Sequence, residues 1–385
     1  MNGTYRFSPN DSAGGISGAN CRYRDDRRNL SRDAKSRYGK DISERHAAPD
    51  QASPTGQVSP MTAKAYLSRT DRVVLSVARL WLTLRHPVLV VRFVMKLGYL
   101  PNTAVPSRYH ELLLWRKILD RNPLFVTLTD KLAAKVHIRD ACPEIAMPKT
   151  LWSGRDATDI PPGLLVGDVM VKANHGCAMN IFVSDGEPDR TAIVRKASRW
   201  LKKRYGRRNG EWAYWPVVPT VFVEERLALS SGTIATDIKV HVCSGVICHV
   251  WVEDKHAKRS LLFDREANPL PGRDPDYPGE DQVLPVNARL IAHVRQAISI
   301  APAIAGDLDY VRIDFLVTDE RLHAGEITVY SAAGYGTWTN PTIAAEIERL
   351  WRLDQSAFLR RPHAGVVRLY ADALRARCRR GTTNR

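Results

Sequence analysis

The chain has 385 residues, 44% of them hydrophobic, and a formal net charge of +16 at pH 7. That length suits more than one domain around a sizeable core, and the charge points to anionic partners such as nucleotide phosphates, acidic polysaccharide or anionic lipid. Six cysteines with no Cys-x-x-Cys pair give no thiolate metal site and read as reduced thiols of a cytosolic protein, and no apolar run of signal-peptide type is present near residue 1.

Residues 1–60 are rich in Ser, Gly, Asn, Asp and Arg and almost free of aliphatic periodicity. Such a segment buries too little apolar surface to offset its ordering entropy and is expected to be a disordered tail, unless translation starts at Met61. Val73 to Leu100 is strongly apolar but carries Arg79, Arg85, Arg92 and Lys96, and Pro87 splits it into two helices. Each is shorter than the ~20 apolar residues that cross a bilayer. Arg85, Arg92 and Lys96 fall on one side of a shared helical wheel, a basic face that suits an anionic membrane surface. Packing of the pair on the globular body is the alternative.

His110 to Asp120 has helical periodicity, broken at Asn122-Pro123. Thr129-Asp130 then reads as the cap of a helix with Lys131 and Lys135 one turn apart on one face, either meeting a phosphate or solvated. From Val166 a strand ending in Lys172 enters the polar turn Ala173-Asn174-His175-Gly176-Cys177-Ala178-Met179-Asn180. Small residues there let backbone N–H groups approach phosphate oxygens, and Lys172 supplies a point charge; the pattern is not a Walker loop. Arg190 to Arg208 holds nine basic residues and no acid, with Ile193, Ala197, Trp200 and Leu201 at helical spacing. It is a solvated basic face or a lid for an anionic substrate. No nucleic-acid-binding motif accompanies it, so nucleic acid ranks last among partners. Val217 to Val223 reads as a buried strand running into Glu224-Glu225-Arg226-Leu227. Asp237 and Lys239 share a face of the next strand, and Ser244-Gly245 turns it into Val246–Val252.

Tyr310 to Gly334 reads as two strands joined at Thr318-Asp319-Glu320-Arg321. Alternation puts Arg312 and Asp314 on one face, and Glu326 and Thr328 likewise. Folding about Glu320 sets Asp314 opposite Glu326 and Arg312 opposite Thr328, whereas a one-residue slip turns one strand's set to the other face. Paired carboxylates of this kind suit Mg²⁺ held jointly with substrate phosphates; the alternative is a solvated strand face. From Pro341 a last amphipathic helix runs through Ala344, Ile347 and Leu350. The tail from Arg360 holds eight arginines against Asp372 and reads as a solvated basic helix or a polyanion contact.

Four stretches together resemble the TupA-like ATP-grasp family of bacterial surface-polysaccharide loci. They are Trp115-Arg116-Lys117…Asp120-Arg121-Asn122-Pro123…Asp130-Lys131, then Val171-Lys172-Ala173-Asn174-His175-Gly176, then Glu211-Trp212-x-Tyr214…Glu224-Glu225…Asp237-x-Lys239, and Arg312-x-Asp314…Gly325-Glu326-x-Thr328…Gly334. The resemblance covers roughly residues 98–353 and implies an α+β, ATP-grasp fold, with two subdomains clasping ATP, behind a helical segment at 61–100. The expected units are 101–160, a glycine-loop subdomain at 161–225, a metal-binding subdomain at 226–355 and a basic tail at 356–385.

The resemblance implies roles for these residues. Lys131 or Lys135, with Lys172, would hold the α/β-phosphates under the loop of Asn174, His175 and Gly176. Glu224, Glu225 and Leu227 would lie at the adenine hinge, Asp237 at the ribose and Lys239 near the phosphates. Asp314 and Glu326 would ligate Mg²⁺, with Thr328 in a place where many relatives have Asn. Arg312 and Lys172 are the catalytic candidates. The family's loop tends to read Asn-His-Gly-Ser-Gly, where this chain has Cys177-Ala178. The implied reaction is ATP-dependent joining of a carboxylate to an amine through an acyl phosphate, on a uronic-acid-containing polysaccharide or lipid-linked glycan amidated by an amino acid, in the cytoplasm or on the inner leaflet. Two rivals are a phosphate- or sugar-transferring enzyme and a nucleotide-binding scaffold without turnover.

Overall fold

The computed structural model describes residues 67–383 except 184–188, 228–235, 273–276, 278, 320 and 338–339, so the expectation of a disordered tail at 1–60 lies outside the described residues. The first described elements are α1 (Arg69–Arg85), capped by the Ser68 hydroxyl, which accepts from Asp71 N at 2.9 Å, and α2 (Pro87–Leu97). Pro87 occupies the first turn of α2, where its missing N–H costs nothing, and the two axes bend by 92°. Leu75 and Leu82 of α1 and Val90 and Phe93 of α2 are buried against the body. The bend breaks the common wheel on which Arg85, Arg92 and Lys96 were expected to share a side, and Arg92 instead turns to the body and donates to Asn209 Oδ1 at 3.3 Å.

Next come α3 (Tyr109–Ile118), α4 (Leu124–Thr129) and α5 (Lys131–Ala141). Arg116 of α3 is fully buried and donates to Asp309 Oδ1 at 2.7 Å, Tyr310 O at 3.0 Å and Val329 O at 2.9 Å. It therefore fixes the base of the Tyr310–Gly334 hairpin. The arginine is held there by one charge-assisted pair and two bonds to backbone carbonyls, its Nε alone being left without a partner among the described residues.

A four-stranded antiparallel sheet follows, in the order β1-β4-β2-β3: β1 (Thr150–Gly154), β2 (Val169–Ala173), β3 (Asn180–Val183) and β4 (Val221–Glu225). This sheet reaches back past residue 161. The strand expected from Val217 begins at Val221, because Pro216 and Pro219 lack the N–H that a ladder needs. The helix α6 (Arg190–Leu201) packs Ile193, Ala197 and Trp200 on this sheet; Arg195, Lys196 and Arg199 are exposed, while Arg190 donates to Thr158 O at 2.9 Å and Ile160 O at 3.2 Å.

A six-stranded antiparallel sheet completes the fold in the order β10-β9-β5-β6-β7-β8: β5 (Thr236–Cys243), β6 (Val246–Asp254), β7 (Arg259–Phe263), β8 (Pro269–Leu270), β9 (Val311–Val317) and β10 (Leu322–Thr328). Ser244 and Gly245 both take positive φ in the β5–β6 turn, as a two-residue hairpin demands. Ile238, Val240, Val250, Val252, Ile313 and Phe315 form one apolar face under α7 (Ala288–Ala305). Each such side chain contributes about 1.5–3 kcal/mol on burial. The opposite face is charged at its Asp237–Asp314 end.

The β9–β10 register places Glu326 opposite Asp314 and Thr328 opposite Arg312, as the sequence implied, but by a route the sequence did not show. At the tip Leu322 pairs with Val317, one residue out of step with folding about Glu320, and a bulge between Ala324 and Glu326 restores the register. Without the bulge Glu326 would lie opposite Ile313 and face the apolar core. Gly325 sits in it because a Cβ there would stand 3.1 Å from Asp314 O.

The chain closes with α8 (Pro341–Leu350), α9 (Ala357–Arg360) and α10 (Gly365–Thr383). The amphipathic helix at Pro341 is thus not the last. The basic tail is α10, which packs on α1 and buries Tyr370, Ala371, Ala373 and Leu374. Tyr370 Oη accepts from Trp115 Nε1 at 2.8 Å and donates to Ala104 O at 2.8 Å. Cys142, Cys243, Cys248 and Cys378 are free thiols.

Candidate active site

The short helix α5 is the spoke between the two sheets. Asp130 caps it, accepting from Leu132 N at 2.9 Å, which fixes the direction of its first residue, Lys131. Lys131 Nζ reaches Glu326 Oε2 of the six-stranded sheet at 2.9 Å. One turn on, Lys135 Nζ reaches Glu224 Oε2 of the four-stranded sheet at 2.7 Å, with Pro148 O at 2.7 Å and Thr150 Oγ1 at 3.0 Å. Lys172 Nζ takes the other oxygen of Glu224. Burial works against the charged form of Glu224, but Lys172 and Lys135 outweigh it and its pKa falls below the ordinary value.

The expected hinge and loop residues divide into separate roles. Glu224 is taken up by the two lysines, while Glu225 Oε1 accepts from Lys149 N at 2.8 Å and Leu227 is half-buried at the end of the described stretch. Asn174 and His175 are buried. Asn174 Oδ1 accepts from Thr220 N at 2.8 Å, and His175 Nε2 donates to Trp200 O at 3.1 Å and Lys203 O at 3.2 Å. These side chains pin the base of the loop. Gly176 is closely packed: a Cβ there would stand 2.9 Å from the Tyr205 ring and would displace the end of the Met179 side chain. Ala178 takes φ +57°, the left-handed region where the family motif has glycine.

On the charged sheet face, cross-strand neighbours bring the remaining candidates together. Lys239 lies opposite Asp314, and Asp237 opposite Glu253. Arg312 grips Asp314 bidentately, Nε to Oδ1 at 2.6 Å and Nη2 to Oδ2 at 2.5 Å, and Nη2 also donates to Thr328 Oγ1 at 3.0 Å. Burial raises the Asp314 pKa; Arg312 works against this and the Glu326 charge adds to it. Burial also opposes ionisation of Glu326, but Lys131, then Arg312 and Lys172, prevail and hold its pKa down at about 2. Lys239 Nζ pairs with Glu253 and sits 4.3 Å from the centre of the Trp251 ring, and Lys255 pairs with Asp237. Glu253, Lys255 and Trp251 were not read from the sequence. Their signal is the period of two at the end of β6, which puts them on the face of Asp237 and Lys239.

The donor set fits a divalent ion that arrives with phosphates. Among the described residues no group of three or more His, Cys, Asp or Glu forms a closed cage. Two facing carboxylates, Asp314 and Glu326, are each neutralised by a cation from a neighbouring element, Arg312 and Lys131. Mg²⁺ needs no more protein than this when substrate oxygens complete its shell. Beside this pair opens a narrow cavity lined by Lys131, Tyr205, Glu211, Tyr214, Arg312 and Glu326 among others.

Two α+β units joined by lysines over a paired-carboxylate hairpin define an ATP-grasp protein. A family model described as TupA-like ATPgrasp matches residues 111–347, and the chain belongs to that family. No curated protein matches it. Among solved structures, the chain is similar to D-alanine–D-alanine ligase from Bacillus anthracis complexed with ATP, at 16% identity over 65% of this chain and 68% of that one, TM-score 0.36. It is also similar to the Helicobacter pylori enzyme of the same name, at 13% identity over 64% and 69%, TM-score 0.38. A third is the ATP-grasp ligase PsnB complexed with minimal precursor, at 16% identity over 69% and 66%, TM-score 0.31.

Proposed function

We propose that the protein is an ADP-forming, ATP-dependent ligase that joins a carboxylate to an amine through an acyl phosphate. The observation that carries this reading is the pairing of Asp314 with Glu326 and of Arg312 with Thr328 on one sheet face, against lysines delivered by α5 and β2. Mg²⁺ held by Asp314 and Glu326 would supply charge neutralisation at the transferring phosphoryl group. Lys135 and Lys172, already gathered on one carboxylate, hold the nucleotide phosphates. Arg312 exchanges Asp314 for the substrate carboxylate and keeps it in line with the γ-phosphorus. The loop from Ala173 to Asn180 shields the acyl phosphate from water. A carboxylate oxygen bonds to phosphorus as the bond to ADP breaks, and the amine nitrogen then displaces phosphate from the acyl carbon.

The substrate that fits the family and the +16 charge is a uronic-acid-containing surface polysaccharide or its lipid-linked precursor, with an amino acid as the amine. Its place of work is an anionic membrane surface on the cytoplasmic side. On α1, opposite the buried Leu75 and Leu82, a stripe of Val73, Val77, Leu80, Trp81 and Leu84 is open to solvent, Leu84 at 69%. Arg72 and Arg79 flank it on one side and Arg85 on the other. On α2, Val88 is 71% and Met95 68% exposed. Among the described residues no single helix is long and apolar enough to cross a membrane. An apolar stripe between arginines suits the interface of an anionic bilayer, where each basic residue adds about 1 kcal/mol.

The reaction is tested by ADP release from the full chain with ATP and Mg²⁺, with and without glucuronate- or galacturonate-containing oligosaccharides and single amino acids. Release that needs both partners supports the ligase. Release that needs carbohydrate alone, with phosphate on the product, makes it a phosphotransferase, and binding without release makes it a scaffold.

A further inference from the structure

We propose that Glu211 holds the ammonium group of the incoming amine in the cavity beside Arg312 and accepts its proton. This rests on the ligase reading and assigns that site its amine end. Glu211 stands just before the short turn Trp212–Tyr214, fixed by its own N–H to Gly206 O at 2.9 Å. It is 3% exposed and lines the same cavity as Arg312, Glu326 and Thr328. Among the described residues its carboxylate takes one hydrogen bond, from Asn209 Nδ2 at 3.3 Å. Lys117 attracts it, but the Lys117 ammonium donates to Ala333 O at 2.5 Å and lies 4.6 Å from the centre of the Tyr335 ring. A largely buried carboxylate held by one long hydrogen bond and one neighbouring ammonium keeps acceptor capacity that a ligand cation would use.

The surroundings sort the cavity by charge. Arg312 and Lys131 form the wall that takes an anion, and Glu211 the wall that takes a cation. Tyr205 and Tyr214, which also line the cavity, meet edge to face with ring centres 4.8 Å apart, and aromatic rings favour a neighbouring ammonium. The titratable groups that feel the Glu211 charge are Lys117 from α3, Tyr205, Tyr214, Tyr330 and Tyr335, while Lys131 of α5, Arg312 of β9 and Glu326 of β10 line the same cavity. Burial pushes the Glu211 pKa up, against the pull of Lys117, to about 7, where a carboxylate both binds and releases a proton at working pH. In the step, Glu211 takes one proton of the ammonium and leaves a neutral amine. Its nitrogen bonds to the acyl carbon as the C–O bond to phosphate breaks, and the second proton leaves with phosphate.

The test compares wild type, Glu211→Gln and Glu211→Asp, all as full chains, with a uronic-acid oligosaccharide, ATP and Mg²⁺. Each is given either single amino acids or hydroxylamine, which is neutral at pH 7 and needs no base. Glu211→Gln is expected to lose amide formation at least tenfold more than hydroxamate formation. Its amine KM should rise, its KM for ATP should stay within about twofold, and Glu211→Asp should recover part of the loss. Amide and hydroxamate falling together, or amide formation unchanged, overturns the assignment of Glu211 and leaves the ligase reading standing. A wild-type chain that forms neither product removes both. Retention of the ATP-induced rise in melting temperature shows that the variant folds.

Discussion

Replacing Glu224 by Gln should expose how the phosphate site is held ready. Glu224 is 3% exposed and gives one oxygen to Lys135, at 2.7 Å, and the other to Lys172. An amide keeps the shape but leaves two ammonium groups facing each other without a counter-charge. Breaking a buried pair in this way costs about 3–5 kcal/mol. At ~2 °C per kcal/mol for a chain of this size, Tm should fall by ~6–10 °C. Nucleotide phosphates return the missing negative charge, so ATP with Mg²⁺ should raise the Tm of Glu224→Gln more than that of wild type. The sign with pH follows from the depressed pKa. The stabilisation from Glu224 is fully present above its ordinary value of 4.5 and is lost as pH falls through the lower folded value, so the two melting curves should converge in acid. Differential scanning fluorimetry with and without ATP reads both effects. A variant that melts like wild type, or gains no more from ATP, would refute the view that one carboxylate pre-positions both lysines.

Asp314→Asn should reduce ADP release by ~10²-fold or more, because metal charge stabilisation is worth several kcal/mol; unimpaired turnover would remove Asp314 from the metal set. Ala178→Gly should raise stability by about 0.5 kcal/mol or more, since alanine at φ +57° costs about 1–2 kcal/mol and glycine's extra unfolded-state entropy offsets only part of this; a fall in Tm would contradict it. The protein should co-sediment with phosphatidylglycerol vesicles but not with phosphatidylcholine, and release near ~0.5 M salt. Trp81→Glu with Leu84→Glu should abolish that binding with little change in Tm, and indifference to anionic vesicles at low salt would end the membrane proposal.

How far the sequence carried the reading depended on how local each cause was. The facing of Asp314 and Glu326 was legible because alternation and a polar turn are short-range signals. The bulge at Gly325 that delivers it was not, because a shift of register shows only once the two strands are paired. Lys131 and Lys135 were legible as neighbours on a helix face, but not as arms reaching two different sheets. That Asn174 and His175 also anchor the loop was not legible, since only the fold brings Thr220 N and the carbonyls at the end of α6 beside them. The basic tail was legible as a helix but not as a packed one, because its arginines surround a narrow buried face of Tyr370, Ala371 and Leu374. No role could be read for Glu211 in the Glu211-Trp212-x-Tyr214 stretch, because its burial comes from segments far apart in the chain.

The most direct measurement of the ligase account follows the carboxylate oxygen. A uronic-acid oligosaccharide labelled with ¹⁸O in its carboxylate is incubated with the full chain, ATP, Mg²⁺ and an amino acid, and the released phosphate is analysed by mass. Passage through an acyl phosphate transfers one ¹⁸O from each coupled carboxylate to phosphate, together with one ADP per amide. Phosphate free of ¹⁸O beside a labelled product would contradict the account.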